Sequence, residues 1–355
     1  MNRLHKYTAL LEEAGVDGFL LTGQTNRLYA AGTDIAEGIA VVTGRESRYF
    51  TDSRYIEAAE KSLEGFRVIL TDREHPMADL INEAAEELGL GVLGIEEAYL
   101  TLREYNEFSE KLQPTLKPCQ DVLSGLRHVK EPEEIAIMKE AQRITDEAFT
   151  QILTVIREGM TEKELAAELI YRLYLLGAEG MAFDPIVVAG PNSSLPHGVP
   201  TDRRIQKGDF ITMDFGARYQ GYCADMTRTV ALGYVTDEMR AVYETVAAAQ
   251  RAGIAASRAG VTGKSVHEAA ARVIEDAGYG PYFGHGYGHG LGIEVHEEPS
   301  CNIRWDKPIP VGACCSAEPG IYLPDRFGVR IEDVVIFTPE GTEDITKSPR
   351  ELIIL

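Results

Sequence analysis

The chain has 355 residues, 44% of them hydrophobic and 26% charged, the make-up of a globular protein with enough material for two cores. Its formal net charge of −21 argues against non-specific binding to nucleic acid or an anionic membrane, and no basic stripe or zinc-finger spacing offsets it. No apolar run approaches the about 18 residues of a membrane span.

The first residues space their apolar side chains as on an amphipathic helix. Glu12, Glu13 and Asp17 interrupt any candidate signal-peptide core. Further on, DGFLLTG (17–23) and GIAVVTG (38–44) read as strands. SRYIEAAEKS (53–62) and PMADLINEAAEELG (76–89) read as helices, so residues 1–124 form an α/β domain. The boundary falls near Gly125–Lys130, and residues 125–355 form the second domain. Pro132, followed by Glu133 and Glu134, starts a helix. The series Ile135, Met138, Ile144, Ala148, Ile152 and Val155 predicts that this helix is long. The five cysteines are odd in number and form no CxxC pair, which predicts reduced thiols and a cytoplasmic location. Cys314 and Cys315 read as small buried strand residues.

The second domain carries an internal repeat. REGMTEKEL (157–165) matches RAGVTGKSV (258–266) at Arg, Gly, Thr and Lys. In the same order MDFG (213–216) faces AEPG (317–320), GYCAD (221–225) faces GVRIE (328–332), and HGVP (197–200) faces HEEP (296–299). Two αβ halves related by a pseudo-twofold axis are the expectation. The duplication superposes Asp214 on Glu318, Asp225 on Glu332, and His197 on His296.

Each of these acids sits in an apolar, strand-like context. A single one reads as a hydrogen-bonded structural residue. Four that converge cannot all ionise in one apolar pocket without cations, and two divalent ions would answer the charge. The segment FGHGYGHGLGIEVHEEP (283–299) adds His285, His289 and His296, three of the chain's eight histidines. Its glycines argue against a helix and allow close backbone approach. HGYGHG neither follows a clear strand nor opens a helix, which excludes a dinucleotide site. No GxSxG occurs and no cysteine has an electropositive setting, which excludes a Ser or Cys nucleophile. Carboxylates with one imidazole suit Mn, Co or Zn in a hydrolytic pair. The residues alone read as a dinuclear metallohydrolase.

With these motifs in order, the sequence resembles the pita-bread metallopeptidases, in the Xaa-Pro dipeptidase (prolidase) and aminopeptidase P branch. The resemblance spans the chain and rests on Asp214 in MDFG, Asp225 in ADMTRT, His289 in GHGLG, Glu318 in EPGIY and Glu332 in RIED. It implies an α/β creatinase-like N-terminal domain and a C-terminal pita-bread α+β domain with the internal duplication. It implies that Asp214 holds one metal, that His289 and Glu318 hold the other, and that Asp225 and Glu332 bridge them. Glu318 would also move the proton, and His197 and His296 would orient substrate and stabilise the tetrahedral state. His285 and Arg330 match positions that hold the ligands in place; the plainer alternatives are a loop histidine and a surface pair of Arg330 with Asp333. Tyr222 and Tyr322 read as packing. The implied substrate is a small peptide with proline second, and the implied assembly is a homodimer.

Three other readings stay open: aminopeptidase P activity on longer peptides, a creatinase-like hydrolase that is not a peptidase, and an inactive scaffold. Methionine aminopeptidase shares the catalytic domain but lacks the N-terminal one. One departure stands out. Many prolidases carry an arginine directly after HEEP, where it can meet the substrate carboxylate. Here Ser300 follows Pro299, and Arg304 is the nearest cation. The lead GACCSAEPG also has unusually small residues behind Glu318.

Overall fold

The computed structural model describes residues 3–355. The chain divides into two compact units, the first ending at Arg127 and the second running His128–Leu355.

In chain order the first unit has α1 (Leu4–Ala14), β1 (Gly18–Leu21), α2 (Gln24–Ala31), β2 (Ile39–Thr43), β3 (Ser47–Thr51) and α3 (Ile56–Ser62). It continues through β4 (Phe66–Leu70), α4 (Met77–Leu88), β5 (Val92–Ile95), α5 (Leu102–Lys111), β6 (Thr115–Pro118) and α6 (Gln120–Gly125). The six strands form one sheet in the order β4-β3-β2-β1-β5-β6. β2 pairs antiparallel with β1 and β3, while β4, β5 and β6 join in parallel. Every residue of β1 is buried, because both faces of a central strand are covered. On one face Ile81 and Ala84 of α4 pack against Leu20, Val41, Phe50, Leu93 and Ile95. The helices and strands expected from the sequence are present here.

The second unit opens with α7 (Pro132–Ile152), which carries Pro132 in its first turn as expected but ends before Val155. α8 (Glu162–Leu175), β7 (Gly180–Met181), β8 (Ile186–Ala189), β9 (Phe210–Phe215), β10 (Ala217–Tyr219), β11 (Tyr222–Cys223) and β12 (Met226–Ala231) complete the first half. The second half has α9 (Asp237–Ala256), α10 (Gly263–Asp276), β13 (Gly288–Gly290), β14 (Glu297–Cys301), β15 (Cys314–Ala317), β16 (Gly320–Leu323), β17 (Phe327–Arg330), β18 (Asp333–Phe337) and β19 (Thr342–Asp344). Each half buries its own core under a helix pair. Phe149, Leu165 and Leu169 cover Val187, Ile211 and Met213 in the first. Val242, Val246 and Ala270 cover Cys315, Val329 and Val335 in the second.

The repeat read from the sequence has a structural cause. Thr161 and Thr262 are the N-caps of α8 and α10, their hydroxyls accepting the N–H of Glu164 and Ser265. Each also forms an isolated bridge, Thr161 to Arg204 and Thr262 to Pro308. Gly159 and Gly260 hold φ of +85° and +87°, which a side chain rarely adopts. The matched residues are therefore the ones that start the second helix of each pair. All five cysteines are free and buried, and Cys314 and Cys315 lie inside β15.

Candidate metal centre and active site

The four acids arrive through two kinds of position. Asp214 lies inside β9, paired with Ile186 on one side and Thr227 on the other. The other three sit at breaks, which corrects the expectation that each lies within a strand. Asp225 falls between β11 and β12, Glu318 between β15 and β16, and Glu332 between β17 and β18. A residue at a break escapes the strict alternation of a strand, so three carboxylates can turn to one side.

Close backbone approach is built in with glycine. A Cβ on Gly216 would lie 1.8 Å from the Ala224 carbonyl oxygen, and one on Gly288 would lie 2.0 Å from that of Ser316. The first brings Asp225 against β9. The second brings His289 of β13 against Glu318. The small residues of GACCSAEPG serve that approach: Ala313 to Ala317 are all fully buried.

One ligand atom each from Asp225, His289 and Glu332 lie within 4.8 Å of one another. His289 Nε2 is 3.2 Å from Glu318 Oε1 and 3.5 Å from Asp225 Oδ2. Asp214 joins through Arg330, whose guanidinium binds its Oδ2. Arg330 also donates to Thr227 Oγ1 at 2.9 Å, Tyr322 Oη at 2.9 Å and the Pro196 carbonyl at 3.1 Å. Thr227 passes a hydrogen bond to Glu332 Oε2 at 2.7 Å. Ser316 Oγ accepts the N–H of His289 at 2.9 Å and donates to Glu318 at 3.1 Å.

Burial, reinforced by Glu332, Asp214 and Glu318, pushes the Asp225 carboxyl well above its ordinary range. Burial and the same crowding push Glu332 well up. Glu318 is raised by burial, with His285 and Arg330 pulling the other way. Burial lowers His289, so its imidazole is neutral and able to ligate. Asp214 Oδ1, Asp225 Oδ1 and Glu332 Oε1 are buried with no hydrogen-bond partner among the described residues. Buried oxygens are rarely left so. Hard divalent cations take oxygen ligands, and these three atoms with His289 and Glu318 fit such ions.

The cluster floors a cleft of about 450 Å³. Its lining carries every histidine singled out from the sequence: His289 of the cluster, with His197, His285 and His296. The His296 ring stands edge-on to that of His289 with centroids 4.3 Å apart. His285 meets Tyr322 Oη at 3.0 Å and the Gly286 carbonyl at 2.8 Å, so it is more than a loop residue. Arg330 pairs with Asp214, and Asp333 instead pairs with Arg228 and Arg350.

Sequence reasoning passed over Tyr322, which links His285 to Arg330 and lines the cleft. It also passed over Thr227 and Ser316; only their proximity to Asp225 and Glu318 in the chain could have flagged them. Tyr222 does pack away from the cleft and donates to Glu134. Arg304 is exposed and off the cleft wall, which at this point is Ser300 and Asn302. Burial pushes the Cys223 and Cys314 thiols up to about 12, so neither is a ready thiolate.

A two-part chain with a helix-backed, duplicated second half and a buried acid–histidine centre defines a metallohydrolase of two repeated αβ halves. The chain belongs to metallopeptidase family M24: that family's model matches residues 136–339, and the creatinase/prolidase N-terminal domain matches residues 3–129. It is 35% identical to an Xaa-Pro dipeptidase from Pyrococcus furiosus, with 99% of each chain covered. The structure of an Xaa-Pro dipeptidase from Bacillus anthracis superposes with a TM-score of 0.95 at 40% identity, covering 99% of both chains. That of an X-Pro aminopeptidase from Thermotoga maritima superposes at 0.94 and 36% identity, covering 100% of both.

Proposed function

We propose that this protein is a dinuclear metal-dependent exopeptidase that hydrolyses the peptide bond before proline, an Xaa-Pro dipeptidase. The observation that carries this is the clustering of Asp225 and Glu332 with His289, whose orphaned carboxylate oxygens share one cleft with that of Asp214. Asp214, Asp225, His289, Glu318 and Glu332 would hold two divalent ions, with Mn, Co and Zn all suited to the donor set. When bound, such a pair polarises the scissile carbonyl and activates water.

The chain's own residues do the rest. The bond before proline carries no N–H, so its nitrogen must gain a proton to leave. Glu318, which lines the cleft and which the family resemblance casts as the proton carrier, would carry one. His197 and His296 stand in the cleft wall. They orient the peptide and donate towards charge developing on the carbonyl oxygen. Arg330, Thr227, Tyr322 and His285 form one hydrogen-bonded chain that fixes Asp214 and Glu332. The homodimer and the cytoplasmic location implied at the outset belong to the same reading.

A second reading, release of the first residue from longer peptides, is favoured by the cleft's charge. Arg330 is the one Lys or Arg among its described lining residues, and its nitrogens are committed. Ser300 and Asn302 offer no charge to a dipeptide's carboxylate.

The test is hydrolysis of Ala-Pro, Ala-Pro-Ala and Ala-Ala by metal-stripped protein given Mn²⁺, Co²⁺ or Zn²⁺. Metal-dependent cleavage of Ala-Pro with Ala-Ala spared is the expected result. Cleavage of the tripeptide alone selects the second reading. Cleavage of neither proline peptide overturns both.

A further inference from the structure

The cleft holds five carboxylates, and the four of the cluster are accounted for as ligands. The fifth is Asp184. It is exposed at the wall, and no ion pair or hydrogen bond with another described residue compensates it. It lies in the segment between β7 and β8, two residues before Ile186, the residue paired with Asp214. Both side chains line the cleft, and an extended backbone would space them roughly 6–7 Å apart. Pro185 between them disfavours a helical turn at Asp184. The same wall carries Phe183, Ile186 and Pro196. It is thus an apolar strip that starts opposite Asp214 and ends, one or two peptide units away, in an unpaired acid at the rim. Long basic side chains need this arrangement: apolar surface for the methylene stem and a polar partner for the head.

We propose that Phe183, Asp184, Ile186 and Pro196 form a subsite for a lysine or arginine side chain on the residue before proline, with the Asp184 carboxylate meeting its cationic head. The proposal rests on the Xaa-Pro reading above. It names a preference within that substrate class and makes Asp184 a specificity-determining residue.

The experiment compares kcat/KM for Lys-Pro, norleucyl-Pro, Ala-Pro and Glu-Pro with the metal-loaded protein, its Asp184→Asn variant and its Asp184→Lys variant. Melting temperatures confirm folding of each. Lys-Pro should exceed its apolar isostere norleucyl-Pro by roughly two- to five-fold, the worth of an exposed charge pair. That ratio should shrink at high salt. It should fall to about one in Asp184→Asn, and Asp184→Lys should favour Glu-Pro. A wild-type ratio near one, or a ratio that Asp184→Asn leaves intact, overturns the subsite. Equal slowing of all four substrates by Asp184→Asn also overturns it, and assigns Asp184 to the peptide's free amino terminus instead. Absence of cleavage of every Xaa-Pro dipeptide sinks the parent reading rather than this one.

Discussion

Arg330→Met isolates the electrostatics of the centre. Arg330 is 4% exposed, and its guanidinium holds Asp214, Thr227, Tyr322 and the Pro196 carbonyl together. Methionine keeps most of the stem volume but removes the charge and every donor. Removing one partner of a buried ion pair leaves the other uncompensated, at about 3–5 kcal/mol. Metal-free protein should lose that much stability, since four acids then share the cleft floor with no guanidinium. In metal-saturated protein cations held as proposed would neutralise Asp214, so the loss should shrink to about 1–2 kcal/mol, the worth of the neutral hydrogen bonds alone. The chain's single tryptophan, Trp305, lies in the second unit. Its fluorescence during urea unfolding therefore reports the unit that matters. Arg330→Lys should recover only part of the loss, because an ammonium cannot reproduce the planar fork. A loss in metal-free protein below about 1 kcal/mol, or the same loss with and without metal, would refute the charge argument.

Three other expectations follow from the same geometry. His296→Ala should bind metal normally but lose roughly 100-fold in kcat, measured by steady-state kinetics beside metal analysis; unchanged kcat removes His296 from the reaction. Arg304→Ala should change kcat/KM by less than roughly two-fold for dipeptides and tripeptides alike, as an exposed side chain off the cleft wall; a selective rise in dipeptide KM would restore it as the carboxylate reader. Burial and crowding raise the carboxyls of Asp225, Glu318 and Glu332. Those raised values stabilise metal-free protein fully below the ordinary carboxyl range, and the contribution is lost as pH climbs through the folded-state values. Metal must displace the protons, so apparent affinity should rise with pH and calorimetric enthalpies should depend on the buffer; buffer-independent enthalpies would contradict this.

The fold was legible where a single physical signal dominated. The fully apolar β1 and the Pro132 helix start could each be read locally, whereas Thr161 and Thr262 were visible only as matched repeat positions until the fold showed them as caps. The duplication carried the site, because equivalent positions in two halves turn four separate buried acids into one convergent set. What escaped was whatever depends on a long-range partner. Tyr322 resembles any strand tyrosine until His285 and Arg330 fold onto it from elsewhere in the chain. Thr227 is one of several threonines in its strand, and only the Glu332 contact distinguishes it. Asp184 could not be separated from ordinary surface acids before the fold placed it in the lining of the same cleft. Arg304 failed for the reverse reason: proximity in sequence to Ser300 does not carry a side chain into the cleft.

The central claim is that the buried acids hold two cations which together enable cleavage before proline. Metal-stripped protein can be titrated with Mn²⁺ while bound metal and Ala-Pro hydrolysis are measured in the same samples, beside Asp225→Asn. The account predicts binding to two equivalents per chain, activity that reaches its maximum only with the second, and neither full binding nor turnover in the variant. Full Ala-Pro hydrolysis without metal, or undiminished activity in Asp225→Asn, would contradict it.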